Sequence, residues 1–140
     1  MAKLVLRDCY IEVDGEDFSS HVSSVTINLS KDEIDTTNFG GDGRERAHGL
    51  KDDSFELTFQ QDYAAGKVDD VLYPLWNNEE EFTVKVRPRK GTGSAAADNP
   101  EYSATCILLE YTPLAGDVGD LSTTDVTFPA QRAGIARATT

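Results

Sequence analysis

The chain has 140 residues, a net charge of −12 and 39% hydrophobic residues, which suits one globular domain with a single core. Because affinity for nucleic acid depends on basic side chains that neutralise phosphates, this acidity disfavours tight DNA binding. No apolar run approaches the roughly 18 residues of a membrane-spanning helix. The N-terminal MAKLVLRD lacks the apolar core and cleavage site of a signal peptide, so we expect folding in a cytoplasm and no membrane partner.

Alternation of apolar and polar residues with period two, which marks half-buried strands, dominates the N-terminal part of the chain. It predicts a strand from Lys3 to Val13, and the Asp14-Gly15 pair then predicts a turn. A second strand is predicted from His21 to Ser30. Its inward residues are Val25, Ile27 and Leu29.

Residues 31–53 break this alternation, because they combine few apolar residues with four glycines and many charges of both signs. Long ordered loops are usually functional, and the others are disordered. The embedded Ile34, Phe39 and Leu50 favour a long loop that becomes ordered against a partner. A floppy loop or a distorted hairpin arm within the same subunit is the alternative, and composition does not decide between them.

The middle of the chain predicts one strand and one helix. Alternation resumes at Phe55, Leu57 and Phe59, and the segment from Gly66 to Trp76 has helical periodicity. The predicted core stripe of this helix is Val68, Val71, Leu72, Leu75 and Trp76. Pro74 removes a helical hydrogen bond, so we expect a kinked or 3₁₀ last turn.

The C-terminal part predicts further strands: from Glu80 to Arg89, from Tyr102 through Leu108, and from Leu121 to Phe128. The small residues of 90–100 predict a mobile loop, and 129–140 reads as a loose tail after Pro129. The sum is about seven strands and one helix in a single domain, 1–140. We therefore predict a mainly β fold, a β-sandwich or partly open β-barrel with one flanking α-helix.

Catalytic and metal-binding constellations are absent from the sequence. His21 and His48 lie in no nucleophile or metal-ligand motif, and the acidic turns lack the spacing of a calcium loop. Cys9 and Cys106 lie in apolar runs and are expected to be free, buried thiols. We therefore expect a protein that is not an enzyme and needs no cofactor or metal.

Two features of the charge distribution, a basic strand face and the overall acidity, each have more than one interpretation. Lys85, Arg87, Arg89 and Lys90 form a basic strand face that either meets acid on a neighbouring subunit or is simply solvated. The overall acidity either serves solubility or forms a wall of like charge that keeps a polyanion from adhering, with a screening length of roughly 8 Å at physiological salt.

Four segments in this order resemble the tail tube (major tail) proteins of long-tailed phages of actinobacteria, over about Tyr10 to Phe128. The first carries the V-D-G-x-D-x-S start and the D-x-T-x-F-G loop, the second carries the L-K-D-x-S stretch before the Phe-rich strand, and the last carries P-L-A-G-x-V-G-D-L-S/T-T. The segments are YIEVDGEDFSSHVSSVTINLSKDEIDTTNFG, GLKDDSFELTFQQDYAAGKVDDVLYPLWN, FTVKVRPRKG and NPEYSATCILLEYTPLAGDVGDLSTTDVTFP. Their order, rather than any one motif, carries the resemblance.

The resemblance implies a structural virion protein that forms six-fold rings, whose strands join into a continuous barrel around a lumen. Stacked rings form a tail tube through which DNA leaves without specific binding. Implied partners are further copies of the chain, a tape-measure protein, and tail tip or terminator proteins, and assembly would occur in the host cytoplasm.

By position, residues 31–53 would be the loop that reaches the adjacent ring. We predict inter-ring pairs from Glu33, Asp35, Arg44, Arg46 and Asp52, with Ile34 and Phe39 anchored in an apolar groove. Lys85, Arg87 and Arg89 would serve inter-subunit contacts, and Glu56 is the candidate for the lumen. Two alternatives stay open: the tube of a related injection or secretion device, and a β-sandwich binding module with an exposed aromatic platform such as Tyr63 or Tyr111.

Overall fold

A computed structural model describes residues 3–90 and 95–139. This part of the chain contains ten strands and one helix, where the sequence predicts about seven strands. The elements in chain order are β1 (Tyr10–Val13), β2 (Glu16–Asp17), β3 (Val22–Asn28), β4 (Lys31–Asp35), β5 (Arg46–Lys51), β6 (Ser54–Gln60), α1 (Val68–Asn77), β7 (Phe82–Arg87), β8 (Glu101–Cys106), β9 (Thr123–Pro129) and β10 (Ala136–Ala138).

The strands form three antiparallel sheets. A five-stranded sheet has the order β10-β8-β7-β1-β2, a three-stranded sheet has the order β3-β6-β9, and β4 pairs only with β5. The inner residues of the two larger sheets belong to one hydrophobic core. The prediction of a mainly β sandwich-like fold with one flanking helix is confirmed.

Aromatic side chains join the two larger sheets at the centre of this core. Phe128 of β9 packs edge-to-face against Phe82 of β7, with ring centroids 5.4 Å apart, and against Phe59 of β6 at 6.2 Å. Phe18 extends the series onto Phe59. Edge-to-face packing is the preferred geometry of aromatic pairs, so these rings fix how the sheets face each other.

The helix covers one end of this core with Val68, Leu72 and Leu75, which are buried. The expectation for Trp76 is wrong, because its side chain is 42% exposed and its indole N–H donates to the Leu109 carbonyl. The 3₁₀ alternative for the last turn is also wrong. The N–H of Asn78 donates to the Pro74 carbonyl, and the α-helix continues through Asn77.

Three predicted strand boundaries are wrong because a partner strand ends. β1 begins at Tyr10 rather than Lys3, since Tyr10 faces Arg87 at the end of β7 and the next residue, Pro88, has no N–H to donate. β8 ends at Cys106, which faces Phe82 at the start of β7. β3 ends at Asn28, and Leu29 is 62% exposed rather than inward.

The C-terminal segment is ordered, so the expectation of a loose tail for 129–140 is wrong over the described residues. Ile135 is buried in the core, and β10 pairs with β8 through Ala136 opposite Ser103. Of the predicted 90–100 loop, residues 91–94 lie outside the described residues. The side chain of Asn99 bonds the backbone of Arg89 in both directions and fixes the far side of that loop.

Candidate assembly surfaces

The segment 31–53 forms a β-hairpin, which we call the arm (residues 31–51). β4 and β5 pair with Asp35 opposite Arg46, and the arm's residues are exposed apart from the half-buried Gly49. Local bonds order its end: the N–H of Thr37 donates to Asp35 Oδ1 at 2.9 Å, and the N–H of Glu45 donates to Thr37 Oγ1 at 2.9 Å. The segment therefore forms a hairpin arm within the subunit, and its contact with a partner stays a prediction.

The predicted inter-ring charges are paired within the arm of the isolated subunit. Arg46 Nε donates to Glu33, and Arg44 lies 3.4 Å from Asp35. All four side chains are more than half exposed, and exposed pairs of this kind contribute only about 0–1 kcal/mol. No ion pair of Asp52 occurs within residues 3–90 and 95–139.

The two faces of the arm differ in chemistry, because residues opposite each other in an antiparallel pair share a face. One face carries the Glu33–His48 and Asp35–Arg46 pairs. The other carries Ile34 opposite Ala47, beside Gly49, where an added Cβ would lie 3.2 Å from the Ile34 side chain. Phe39 is fully exposed at the tip. The arm therefore presents a small apolar face and an exposed aromatic ring that are not buried by any of the described residues.

Asp53, at the base of the arm, is a buried carboxylate that the sequence reasoning did not single out. Its Oδ1 accepts from the Ser30 N–H and its Oδ2 from the Ile135 N–H, both at 2.9 Å. Burial alone would raise the pKa of Asp53, but these two N–H groups and the Lys51 ammonium outweigh burial and lower the pKa below its usual value. The carboxylate is therefore charged at neutral pH.

Glu56 lies on the outward face of the three-stranded sheet. That face is polar apart from Pro129 at its end, opposite Ser54, and it includes a second carboxylate, Asp125, which accepts from Thr58 Oγ1 at 2.7 Å. Its members across the three strands are Ser24, Thr26, Asn28, Ser54, Glu56, Thr58, Gln60, Thr123, Asp125 and Thr127. No Lys or Arg is among them, so the face carries only negative charge.

The β3 edge of this sheet is unpaired along Val22–Asn28 within the described residues. Beside it, a groove of about 320 Å³ is lined mainly by apolar side chains, including Leu6, Ile27 and Leu29. Unpaired edges of this length invite pairing with another chain. Edge and groove together form a surface suited to a neighbouring β structure.

The opposite side of the sheet carries an extended apolar border. After β8, residues 107–111 pass beside β9, where the Ile107 N–H donates to the Pro129 carbonyl at 3.3 Å. Leu109 is 67% exposed and borders a second groove with Asp125 and Thr127. The two lateral sides of the subunit thus both expose apolar residues next to a sheet edge.

The basic strand face does not have the predicted arrangement. Arg87 is buried, bonds Glu101 at 3.1 Å and lies 4.1 Å above the Tyr10 ring, so it cannot contact a neighbouring subunit. Lys85 lies 3.9 Å from Glu12, and Arg89 lies 3.5 Å from Asp98. The expectation of an inter-subunit role is wrong for Arg87, because its charge is already neutralised inside the sheet.

The described residues hold no group of three or more His, Cys, Asp or Glu side chains that could bind a metal. Cys106 is buried and Cys9 is half-buried; both are free. His21 bonds Asp62 at 2.9 Å, which joins β3 to the chain after β6. Within residues 3–90 and 95–139, no helix is long and apolar enough to span a bilayer.

The fold of two packed sheets and one flanking helix is like that of solved tail tube structures. No protein-family model matches the chain, and no curated protein sequence matches it either. Solved structures do match, and because the three described next are at most 16% identical to this chain, the likeness lies in the fold.

Three of these structures are tubes or tails. The SPP1 phage tail tube superimposes with a TM-score of 0.76 at 9% identity, over 99% of this chain and 80% of that one. The tail of an empty gene transfer agent particle, refined with C6 symmetry, gives 0.70 at 13% identity over 95% and 96%. The sheath–tube complex of the PVC extracellular contractile injection system gives 0.70 at 16% identity over 99% and 93%.

Proposed function

We propose that this chain is the structural subunit of a hollow tail tube. Copies join side by side into hexameric rings, and stacked rings form a conduit for DNA during ejection. The proposal gives the chain no catalytic role and no cofactor. It also places the protein in a virion tail assembled in the host cytoplasm.

The observation that carries this proposal is the outward face of the three-stranded sheet. It is polar, contains Glu56 and Asp125, and has no basic residue. With that face turned inward, a ring would enclose a lumen of negative charge. DNA phosphates would be repelled within the screening length of roughly 8 Å, so DNA could slide without adhering.

Ring closure would use the two lateral sides of the subunit. The unpaired β3 edge and its apolar groove on one copy would meet the border at 107–111 and Leu109 on the next. Because the two surfaces differ, the contact is heterologous, and such a contact closes into a ring when its rotation is right. Closure would cover the edges and the exposed apolar residues together.

Ring stacking would use the arm. Ile34 and Phe39 would enter an apolar surface of the adjacent ring, where they would lose their exposure to water. The charges of Glu33, Asp35, Arg44 and Arg46 would exchange their partners within the arm for partners on that ring. The exchange costs little because both members of each pair are solvated.

Partners follow from this role: further copies of the chain, a tape-measure protein in the lumen, and tip or terminator proteins at the tube ends. The sequence resemblance to tail tube proteins of actinobacterial long-tailed phages supports a non-contractile virion tail as the context.

A second candidate is the tube of a phage-like injection or secretion device. The similarity to the PVC sheath–tube complex and to its sheath/tube terminator, at a TM-score of 0.71, favours it. Genes for a contractile sheath beside the gene for this chain would support the device. Genes for capsid and DNA packaging would support the phage tail.

The test is negative-stain electron microscopy of the purified protein over a concentration series, with light scattering in parallel. Rings or hollow tubes that grow with concentration are the expected result. A strictly monomeric particle at every concentration would count against the proposal. If that monomer also bound glycans through the half-exposed Tyr73 and Trp76, a binding module would be the better assignment.

A further inference from the structure

Three separate parts of the chain meet at the base of the arm. The arm leaves the sandwich after Ser30 and returns at Asp53, whose side chain accepts from both the Ser30 N–H and the Ile135 N–H of the C-terminal segment. The Asp52 N–H donates to the Ser30 carbonyl, and the Asp53 carbonyl accepts from Ala130. The base of the arm is therefore built partly from residues 82 positions away in sequence.

Asp53 is the centre of this junction. Its side chain is 1% exposed, and each carboxylate oxygen accepts one backbone N–H, from Ser30 on the arm side and from Ile135 on the C-terminal side. A carboxylate can accept at both oxygens, whereas the Asn amide offers one acceptor and one donor. An Asn with its amide oxygen toward one of these N–H groups would turn its NH₂ group toward the other and leave that N–H without an acceptor.

Lys51 at the end of β5 adds a second connection between the same segments. Its ammonium lies 3.4 Å from Asp53 Oδ2 and donates to the carbonyls of Ala133 and Ile135, at 3.1 and 3.4 Å. Gly134 makes room for both groups: its φ is +72°, and a Cβ there would lie 2.5 Å from Asp53 Oδ2. The positive φ of Gly134 and its lack of a side chain thus let the C-terminal segment approach both charged groups.

Apart from this junction, the arm has few attachments. Among the described residues, the only side-chain hydrogen bonds or ion pairs that leave residues 31–52 are those of Lys51. The arm's remaining bonds are internal, and its surface is exposed. Within the described residues, its direction is held by this junction and by the backbone bond from the Asp52 N–H to the Ser30 carbonyl, which continues the β3–β6 pairing into the arm.

We propose that Asp53 is the positioning residue of the arm: with Lys51, it fastens the base of the arm to the docked C-terminal segment and so sets the direction in which the arm projects. The direction of the arm then depends on whether the C-terminal segment is docked, and loss of one should be accompanied by loss of the other. Its consequence for stacking rests on the proposed tube function, whereas the positioning itself is a property of the single subunit.

The test measures arm direction in the subunit alone. Nitroxide labels are placed at Asp42→Cys near the arm tip and Thr83→Cys in β7, in a Cys9→Ser background; Cys106 is buried. Pulsed electron paramagnetic resonance at low protein concentration gives the distance distribution between the two labels. We expect a narrow distribution for the parent and a much broader one for Asp53→Asn.

Asp52→Asn is the matched control, because it removes the same charge from the adjacent exposed residue. It should leave the distribution narrow. Hydrogen exchange at the Ser30 and Ile135 amides should rise about tenfold or more in Asp53→Asn, given the loss of a charged acceptor. An unchanged distribution in Asp53→Asn, or equal broadening in Asp52→Asn, would overturn the proposal.

Lys51→Ala decides the case if Asp53→Asn fails to fold. The Lys51 side chain is 37% exposed, so its removal should be tolerated by the core, with Lys31→Ala on the facing strand as its control. A broader distance distribution in Lys51→Ala but not in Lys31→Ala supports the proposal. An unchanged distribution in Lys51→Ala refutes it. Failure of the parent protein to form tubes would refute the tube function and leave this result unaffected.

Discussion

The arm and the sandwich are built on opposite principles. The sandwich buries Phe55, Phe59 and Phe128 completely, and its stability comes from apolar area removed from water. The arm buries no large apolar residue and is ordered by turn bonds and solvated ion pairs. On the proposed role of the arm, folding and assembly depend on different residues, and substitutions should separate the two properties.

The largest expected effect is on the sandwich. Phe128→Ala removes the ring that contacts both Phe59 and Phe82, and a buried Phe→Ala change costs about 3–5 kcal/mol. Urea unfolding followed by tryptophan fluorescence measures it. Phe39→Ala is the control at an exposed ring and should change the unfolding free energy by less than about 0.5 kcal/mol. Similar losses in both variants would contradict the division between arm and sandwich.

An intermediate effect on stability is expected at Asp53, where the arm joins the sandwich, and it should depend on pH. The pKa of Asp53 is lowered in the folded chain, so its contribution to stability is complete above the usual carboxyl pKa of about 4 and is lost as pH falls through the lower folded value. Asp53→Asn should lose about 1–3 kcal/mol at neutral pH.

Urea titrations at a series of pH values check this dependence. The parent should lose more stability than Asp53→Asn as the solution is acidified below pH ~4. Asp17 and Asp62, whose pKa values are also lowered, should leave a residual slope in both proteins. Parallel pH profiles for the two would show that Asp53 does not stabilise the fold as a charged group.

A smaller effect on stability, with a large one on assembly, is expected in the arm. Replacing Glu33, Asp35, Arg44 and Arg46 together by Ala conserves net charge and should change the unfolding free energy by less than about 1 kcal/mol. Rings should still form, but electron micrographs should show no stacked tubes. The charge-neutral pair Glu81→Ala with Arg132→Ala, which removes an exposed ion pair outside the arm, is the control, and tubes of normal length from the arm variant would contradict the stacking role.

The smallest effect on stability is expected on the polar sheet face. Glu56→Lys with Asp125→Lys should change the unfolding free energy by less than about 0.5 kcal/mol per site. Its tubes should retain short duplex DNA in a salt-dependent way, as measured by co-sedimentation. Glu79→Lys with Glu80→Lys, after the helix, makes the same charge change elsewhere. Equal DNA retention by both would show that this face does not line the lumen.

The elements predicted best from the sequence are those with one face in water and one in the core. The alternation at Phe55, Leu57 and Phe59 matches β6 closely. The arm shows no such alternation because both of its faces are solvated, so its strands are invisible to periodicity. The C-terminal segment was also missed, since Ile135 is its single buried anchor in the described residues.

The candidate site was predictable in part, for a similar reason. Alternation alone places Glu56 on the polar face of its strand, where the structure has it; that this face lines a lumen stays a prediction. Asp52 and Asp53 are equivalent in sequence, yet only Asp53 is buried. The difference depends on the Ile135 N–H, which becomes its neighbour only after the chain folds. The pairing of Arg87 with Glu101 and Tyr10 is likewise created by strand register.

The two free thiols differ in accessibility, and this difference can be used to detect opening of the sandwich. Burial raises the pKa of Cys106 to about 12, and its sulfur lies between the sheets, so an alkylating reagent reaches it only when the sandwich opens. Cys9 is half-buried outside the β1 ladder and reacts from the closed state. In a mass spectrum, singly modified chains carry the reagent on Cys9, and doubly modified chains have also exposed Cys106. The ratio of doubly to singly modified chains therefore reports how often the sandwich opens. The same ratio measured on tubes would show how far assembly suppresses this opening.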